Sequence, residues 1–291
     1  MIRIEAELQK GFTLVELLLV VSIVTVLMGI LLPAMAKVRH QARAALGMSN
    51  QRQIAGAVSC YALDSDELYP ESVATVGSGT DWGWQEPKML TACRARRPEL
   101  YRSMSAYLHS YIEKASILFC PNAPRKYKYL QQAWDAGDSW DNPETFWPKD
   151  PVSGTYCFYW NYTGYLEDMD FLFQGPRRPA DGLGQSKLLL SCYFGYDHWR
   201  SRNAYGSCER FGGASITEGA LLSSAYWSGK AGHTSPIPRV KLFAGYLDGR
   251  VESYSASDTL IMRVIWKPAT GEVYPPGIGP GDFYLPRAAL P

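Results

Sequence analysis

The sequence has no excess of charge of either sign, because 29 lysine and arginine residues stand against 28 aspartate and glutamate residues in 291 positions. A balanced chain has no broad positive field to attract a nucleic-acid backbone, so we predict no nucleic-acid partner. An internal repeat and a Cys-x-x-Cys pair are also missing, which argues against a repeat protein and against a thiolate metal site. The six cysteines allow several disulfide pairings, between which the sequence does not choose.

Motifs of hydrolases and nucleotide-binding enzymes are missing as well. There is no His-Glu-x-x-His, no Gly-x-Ser-x-Gly and no glycine-rich phosphate loop. The best catalytic candidates are Asp197, His198, His233 and Asp248, but their spacing requires neither a metal site nor an acid–base pair. We therefore predict that the protein is not an enzyme and has no cofactor, and we keep His233 and Asp248 as candidates for a metal site.

One long hydrophobic run is present near the N-terminus. Residues 17–36, between Glu16 and Lys37, are uncharged and mostly apolar. A bilayer core is crossed by about 20 helical residues, so this length predicts a transmembrane helix.

Two simpler membrane-targeting segments explain this run less well. Ala34-Met35-Ala36 has the small-x-small pattern that signal peptidase prefers, but the run is longer than the roughly 7–15 apolar residues of a signal peptide. A plain membrane anchor explains the length but not Glu16, because a charged residue costs about 2.5–3.5 kcal/mol at the bilayer centre. A carboxylate in such a span normally has a partner.

The residues around Glu16 supply a reason for it. The segment Lys10–Leu17 reads KGFTLVEL, which closely resembles the cleavage and methylation signature of type IV prepilins and type II secretion pseudopilins. The resemblance implies that Gly11 ends a leader, that Phe12 becomes the methylated first residue, and that Glu16 becomes the fifth. Gly11 has no side chain, so a protease can approach its carbonyl at little steric cost. In a filament, the Glu16 carboxylate would pair with the Phe12 amine of a neighbouring subunit, which offsets desolvation and fixes the register.

Gly29 and Pro33 also match this pattern, since pilins commonly carry a helix-interrupting proline at the position of Pro33. Proline deletes one helical hydrogen bond, which membrane helices often tolerate. We predict that the segment between Gly29 and Pro33 is a helix break that melts during assembly.

The resemblance implies three kinds of partner: prepilin peptidase with its N-methyltransferase activity, other pilin-like subunits, and an inner-membrane assembly platform. It also implies a single-pass inner-membrane protein before assembly, with its C-terminal domain in the periplasm or at the cell surface.

Counting charges argues for the opposite orientation, because the basic residues at 37–43 outnumber Arg3 and Lys10, and basic residues are enriched on the cytoplasmic side. We give the signature more weight because it is more specific.

The helical pattern continues beyond the span to about Asp64. Ile54, Ala57, Val58 and Tyr61 recur at i, i+3, i+4 and i+7, which predicts an apolar stripe that packs on a domain, while Arg52 and Gln53 face water. Later segments predict a helix at about 98–113, a hairpin turn at Asp248-Gly249, and strands at 155–160, 187–194, 240–247 and 250–254.

A weaker resemblance covers His233–Val251. It is similar to the C-terminal end of a bacterial subfamily of pilin-like proteins, in which a histidine precedes a Phe-x-Asp-Gly-His-Val hairpin; Leu247 and Arg250 depart from that pattern. Residues 119–121 and 159–165 look like the middle region of the same subfamily. No activity is implied by this resemblance.

Together these features predict an α+β fold, in which a long N-terminal α-helix packs on a C-terminal antiparallel β-sheet domain with long loops. The predicted parts are a leader at 1–11, a transmembrane and filament-core helix at 12–36, an amphipathic half at 37–64, an extracytoplasmic pilin-like domain at 65–267, and a Pro/Gly-rich tail without regular elements at 268–291.

The predicted function is that of a structural subunit of a type II secretion or type IV pilus-like filament. The sequence does not distinguish between a surface pilus, a secretion pseudopilus and a DNA-uptake fibre. The alternative is a membrane-anchored extracytoplasmic protein that binds or hydrolyses carbohydrate. That alternative uses tryptophans as sugar-stacking surfaces, although packing in the core or in loops explains them equally. The tryptophans concerned are Trp82, Trp84, Trp134, Trp140, Trp147 and Trp160.

Overall fold

The chain divides into two compact units, residues 1–42 and residues 43–291. The division falls inside the predicted amphipathic half of the N-terminal helix. The computed structural model of the chain describes residues 13–75, 87–94, 97–123, 128–143, 152, 154–166, 171–181, 186–197, 203–206, 210–211, 214–215, 241–255, 258–267, 272–273 and 282–290.

A single long helix, α1, runs from Leu14 to Leu63 and confirms the predicted N-terminal helix. In the first unit its leucine, isoleucine and valine side chains are exposed along the segment from Leu14 to Val38. Among the residues that the structure describes, α1 is the helix whose length and composition suffice to cross a membrane.

In the second unit, the remainder of α1 is amphipathic, as predicted. Ile54, Ala57 and Val58 are buried and Tyr61 packs against the core, whereas Arg52 and Gln53 are exposed. The burial of these residues against the domain stabilises this half of the helix, since an isolated helix gains little from propensity alone.

The domain contains two further short helices, α2 (Ser105–Leu108) and α3 (Leu130–Ala136), and 3-10 turns such as Ala115–Leu118. Its strands are β1 (Thr91–Arg94), β2 (Arg97–Ser103), β3 (Tyr156–Phe158), β4 (Thr163–Leu166), β5 (Phe171–Gln174), β6 (Leu188–Cys192), β7 (Phe194–Asp197), β8 (Asn203–Gly206), β9 (Arg210–Phe211), β10 (Ala214–Ser215), β11 (Lys241–Tyr246), β12 (Val251–Ser255), β13 (Thr259–Lys267), β14 (Glu272–Val273) and β15 (Asp282–Pro286).

Two antiparallel sheets carry most of these strands. One has four strands in the order β12-β11-β6-β3, and the other has the order β5-β4-β13-β15-β7-β8 with β14 paired to β13. Every pairing within them is antiparallel, which confirms the predicted sheet class. Two short hairpins, β1-β2 and β9-β10, stand apart from the two sheets.

The second half of α1 lies on the four-stranded sheet. Gln51 Nε2 donates a hydrogen bond to the Phe243 carbonyl at 3.1 Å and lies 3.4 Å from Cys192 Sγ. Gly245 lets the sheet approach closely, because a Cβ there would meet the Leu190 side chain at 2.7 Å and Gln51 Oε1 at 3.8 Å. These contacts place the helix across β11 and β6.

The predicted hairpin at Asp248-Gly249 is confirmed. It joins β11 to β12, and Tyr246 exchanges backbone hydrogen bonds with Arg250 and Gly249. Gly249 has φ = 78°, a left-handed conformation that glycine adopts without a steric penalty. The other predicted strands overlap β3, β6 and β7.

Two predictions about secondary structure are wrong. The helix expected at 98–113 is largely replaced by β2, because the backbone of Arg97–Ser103 pairs with β1, and only Ser105–Leu108 is helical. Such pairing overrides local helix propensity.

The tail at 268–291 also contains a regular element, since β15 pairs with β13 and β7. Burial of Phe283, Tyr284 and Leu285 offsets the destabilising effect of the neighbouring prolines on a strand.

Four cysteines in the described part of the chain have an assigned state. Cys192 takes part in a disulfide bond, whereas Cys60, Cys120 and Cys157 remain thiols. Cys120 and Cys157 are buried and Cys60 is exposed on α1.

Candidate processing and assembly site

The predicted cleavage residues Gly11 and Phe12 lie outside the described residues, which begin at Thr13. Their roles in processing stay predictions. The geometry of the site is therefore that of the first turn of α1, which contains the predicted assembly residue Glu16.

Thr13 and Glu16 form a capping box at the start of α1. The Thr13 backbone amide and the Thr13 hydroxyl each donate to Glu16 Oε2 at 2.8 Å. In return the Glu16 amide donates to Thr13 Oγ1 at 3.2 Å. This Thr-x-x-Glu arrangement satisfies amides that a helix N-terminus otherwise leaves without partners. Thr13 was missed as a functional residue, although the Thr-x-x-Glu spacing before an apolar run could have identified it.

Within the described residues, no Lys or Arg forms an ion pair with Glu16. The hydrogen bonds from Thr13 use only Oε2, so Oε1 makes none to the described part of the chain. Residues 17–36 contain no basic side chain either.

The polar side chains within the apolar segment bond to their own helix. Ser22 Oγ donates to the Leu18 carbonyl at 2.7 Å, and Thr25 Oγ1 donates to the Val21 carbonyl at 2.7 Å. Such i to i−4 bonds satisfy hydroxyls where no water is present. This segment thus presents an almost wholly apolar surface to its surroundings.

Gly29 and Pro33 both lie inside α1, which is continuous across them. Proline has no amide hydrogen, so the Gly29 carbonyl, four residues earlier, lacks the usual helical donor. This is the one position in the apolar segment where the sequence itself removes a backbone bond. A loss of helix there during assembly stays a prediction.

Of the two metal candidates, the structure describes Asp248 only. His233 lies outside the described residues. Asp248 is exposed in the β11-β12 turn, where its carboxylate lies 3.1 Å from Arg250 Nε. Arg250 in turn stacks over the Tyr246 ring at 4.4 Å and pairs with Glu252 at 3.0 Å. Among the described residues, no group of three His, Cys, Asp or Glu side chains is placed to hold a metal ion.

The described tryptophans favour core packing over sugar stacking. Trp134, Trp140 and Trp160 are at most 4% exposed, and Trp134 Nε1 donates to the Ile112 carbonyl at 2.7 Å. Stacking on a sugar needs an accessible ring face, which these three do not offer. Trp82, Trp84 and Trp147 lie outside the described residues.

A sequence comparison identifies the N-terminal segment. Residues 8–32 match the family model described as the prokaryotic N-terminal methylation motif. This is the prepilin-type cleavage and methylation motif of type IV pilin-like proteins, and it confirms the resemblance seen at Lys10–Leu17. No curated protein matches the chain, and no solved structure does.

Proposed function

We propose that this chain, a type IV pilin-like precursor by its N-terminal motif, is a structural subunit that assembles into a pilus-like or type II secretion filament. In this proposal prepilin peptidase hydrolyses the bond between Gly11 and Phe12 and methylates the new amine. The observation that carries the proposal is the Thr13–Glu16 capping box, placed directly before an apolar, membrane-length helix.

Cleavage would change the electrostatics around Glu16. The new Phe12 terminus carries an ammonium group, directly before Thr13. Methylation keeps this positive charge. The Glu16 Oε1, which Thr13 does not engage, is available to a cation, and the amine of a neighbouring subunit supplies one. In an apolar surrounding, this pairing offsets the cost of desolvating both charges.

The pairing would also fix the stagger of the subunits. A subunit at the wrong height leaves Glu16 without a cation in the membrane, which is unfavourable. The exposed apolar side chains of α1 would then pack against lipid before assembly and against neighbouring helices afterwards. The missing Gly29 hydrogen bond would lower the cost of local unwinding while the helices adjust.

Two features support a domain on the outer side of the membrane. The disulfide at Cys192 is of a kind that persists in oxidising compartments such as the periplasm. The prepilin-type motif implies a cytoplasmic leader, so the chain beyond α1 would face outward. Other pilin-like subunits and an inner-membrane assembly platform are the partners that this arrangement requires.

The test is mass spectrometry of the N-terminal peptide of protein purified from membranes. We expect a peptide that begins at N-methylated Phe12. A chain that begins at Lys37 would indicate signal peptidase cleavage, and an intact Met1 would indicate a plain anchor. Either result would contradict the proposal.

A further inference from the structure

Charge is strongly segregated along α1 and the loop that follows it. Residues 17–63 contain no Asp or Glu, and residues 53–87 contain no Lys or Arg. The basic residues of this region are Lys37, Arg39, Arg43 and Arg52, which we call the basic segment. The acidic residues are Asp64, Asp66, Glu67 and Glu71, which we call the acidic end.

The basic segment is exposed and unneutralised within the described structure. All four of its side chains are exposed, and none is in an ion pair with a described residue. Arg52 belongs to the part of α1 that lies on the sheet.

The acidic end is held in place by tyrosines, which donate to two of its carboxylates. Tyr111 Oη donates to Asp64 at 2.6 Å, and Tyr107 Oη donates to Glu71 at 3.0 Å. Asp66 and Glu67 are exposed, and neither is in an ion pair with a described residue.

The carbonyl end of a helix has a partial negative charge, and the last turn of α1 has no basic residue to compensate it. The isolated subunit therefore holds negative charge at an unfavourable place.

Within the second unit, one face of α1 is exposed between Arg43 and Asp64. Leu46, Gln53, Gly56, Cys60 and Leu63 are all exposed on the side of α1 that faces away from the sheet. They recur at spacings of three, four and seven residues, which places them along one face of the helix. Gly56 and Cys60 are small, so the backbone of another chain can approach this face closely.

From this charge complementarity we infer that the acidic end of one copy docks on the basic segment of a neighbouring copy, along this helix face. The inference rests on the proposed filament function and names the contact that would guide it. Because the two surfaces differ, the contact is head to tail, which excludes a closed two-fold dimer and allows an open filament. Charge pairing of this kind selects the partner and its register more than it adds affinity.

Anionic lipid headgroups are the competing occupant of the basic segment. Lipid would account for Lys37 and Arg39 beside the apolar span. It would leave Arg52 and the exposed carboxylates of Asp66 and Glu67 unexplained, so we favour a second copy of the chain.

The experiment uses charge reversal in the full-length protein, with pelletable filament as the readout and membrane fractionation as a check on insertion. One variant carries Asp66→Lys and Glu67→Lys, a second carries Arg39→Glu and Arg43→Glu, and a third carries all four changes. The control reverses two other exposed charges, with Glu113→Lys and Lys187→Glu.

We expect each two-site variant to lose about tenfold in filament, because like charges then meet, and the four-site variant to recover most of it. The control should assemble like the original chain. Failure of the four-site variant to recover would overturn the inference, as would normal assembly of both two-site variants. If only the Arg39/Arg43 variant is impaired and it also leaves the membrane, the basic segment binds lipid and the inference is wrong.

The same assay separates this inference from the proposed function. If the original chain forms no filament, the proposed function itself fails and the inference with it. If the original chain assembles and Glu16→Val does not, while charge reversal has no effect, the proposed function stands and only the docking contact is refuted.

Discussion

Thr13 and Glu16 bind each other through the amide and hydroxyl of one residue and a single carboxylate oxygen of the other, with both donors 2.8 Å from Oε2. In the proposed filament Glu16 has two separable roles. It caps the first turn of α1, and it would offer a charge to a neighbouring subunit. A glutamine retains the first role, since both Glu and Gln serve at this position of a capping box, but it has no charge.

Substitutions at Glu16 should separate these roles. We expect Glu16→Gln and Glu16→Val to insert into the membrane normally and both to fail in co-assembly with the unmodified subunit, because neither supplies a charge for the Phe12 amine. Filament incorporation can be measured with an epitope-tagged variant. Normal incorporation of Glu16→Gln with loss of Glu16→Val would show that capping, and not charge, is what assembly needs.

Gly11 should control removal of the leader. A larger residue, as in Gly11→Leu, places a side chain where the peptidase approaches the scissile carbonyl, so we expect the leader to remain or to be removed much more slowly. The intact mass of membrane-derived protein measures this. Thr13→Ser retains the cap and serves as the matched control. Rapid processing of Gly11→Leu would exclude the steric role.

Gly175 should be intolerant of any side chain. A Cβ at this position would overlap the Tyr159 carbonyl, which is backbone and moves only with its strand connection. We expect Gly175→Ala to lower the free energy of unfolding by about 3 kcal/mol, at the upper end for overpacking. Denaturant unfolding followed by tryptophan fluorescence provides the measurement.

The control for Gly175 is Gly56→Ala. No atom lies within 4 Å of a Cβ at Gly56, and the residue lies in the interior of α1, two turns before its end. Alanine there should raise the free energy of unfolding by up to about 1 kcal/mol. Equal effects of the two changes would contradict the role assigned to Gly175.

Asn161 matches a glycosylation sequon with Thr163, but its side chain is already engaged. Its Nδ2 donates to the Tyr69 carbonyl at 3.0 Å and to the Pro70 carbonyl at 2.8 Å, and its φ is 53°. We expect no glycan in a glycosylating host, because the acceptor nitrogen is occupied. A mass shift of the intact protein in such a host would refute this expectation.

Replacement of Asn161 should measure the strength of that contact. We expect Asn161→Ala to cost about 2 kcal/mol, since two hydrogen bonds are lost and alanine disfavours positive φ. Asn161→Gly loses the hydrogen bonds but not the favourable backbone conformation, so it should cost less. An equal loss of unfolding free energy in both variants would mean that φ contributes nothing.

Tyr111 should make stability depend on alkaline pH. Its hydrogen bond to Asp64 raises the pKa of Tyr111 to about 12, from an ordinary value of about 10. The neutral phenol is thus favoured in the folded state. The contribution of the Tyr111–Asp64 hydrogen bond to the free energy of unfolding is complete below pH 10. It is lost as the pH rises from about 10 to about 12, because Tyr111 loses its proton at a lower pH in the unfolded chain than in the folded one.

The measurement for Tyr111 is the phenolate absorbance during an alkaline titration, together with the free energy of unfolding at each pH. Asp64→Asn should lower the pKa of Tyr111, and Tyr111→Phe should reduce the fall in stability across that pH window. Tyr61→Phe changes a ring that packs edge-on against Tyr111 but keeps the bond to Asp64, so it should lower the pKa of Tyr111 less than Asp64→Asn does. An unchanged titration in Asp64→Asn would contradict the assigned cause.

Features that depend on neighbouring residues could be predicted from the sequence. The cleavage motif, the helix over 14–63 and the turn at Asp248-Gly249 each require residues that are a few positions apart. Periodicity likewise identified Ile54 and Val58 as buried, because a helix repeats its faces at a fixed spacing. Hydrogen bonds and steric preferences of this range act before the chain has any tertiary structure.

Only the tertiary structure decided which polar and aromatic residues the domain would bury. Gln51 lies beside Arg52 and Gln53 in the sequence, yet it is buried, and its partner Phe243 is 192 residues away. β15 likewise forms within a proline-rich tail because β13 and β7 accept its backbone bonds. A partner so distant along the chain leaves no local periodicity to detect, since the energy of such a contact depends on the fold that brings both ends together.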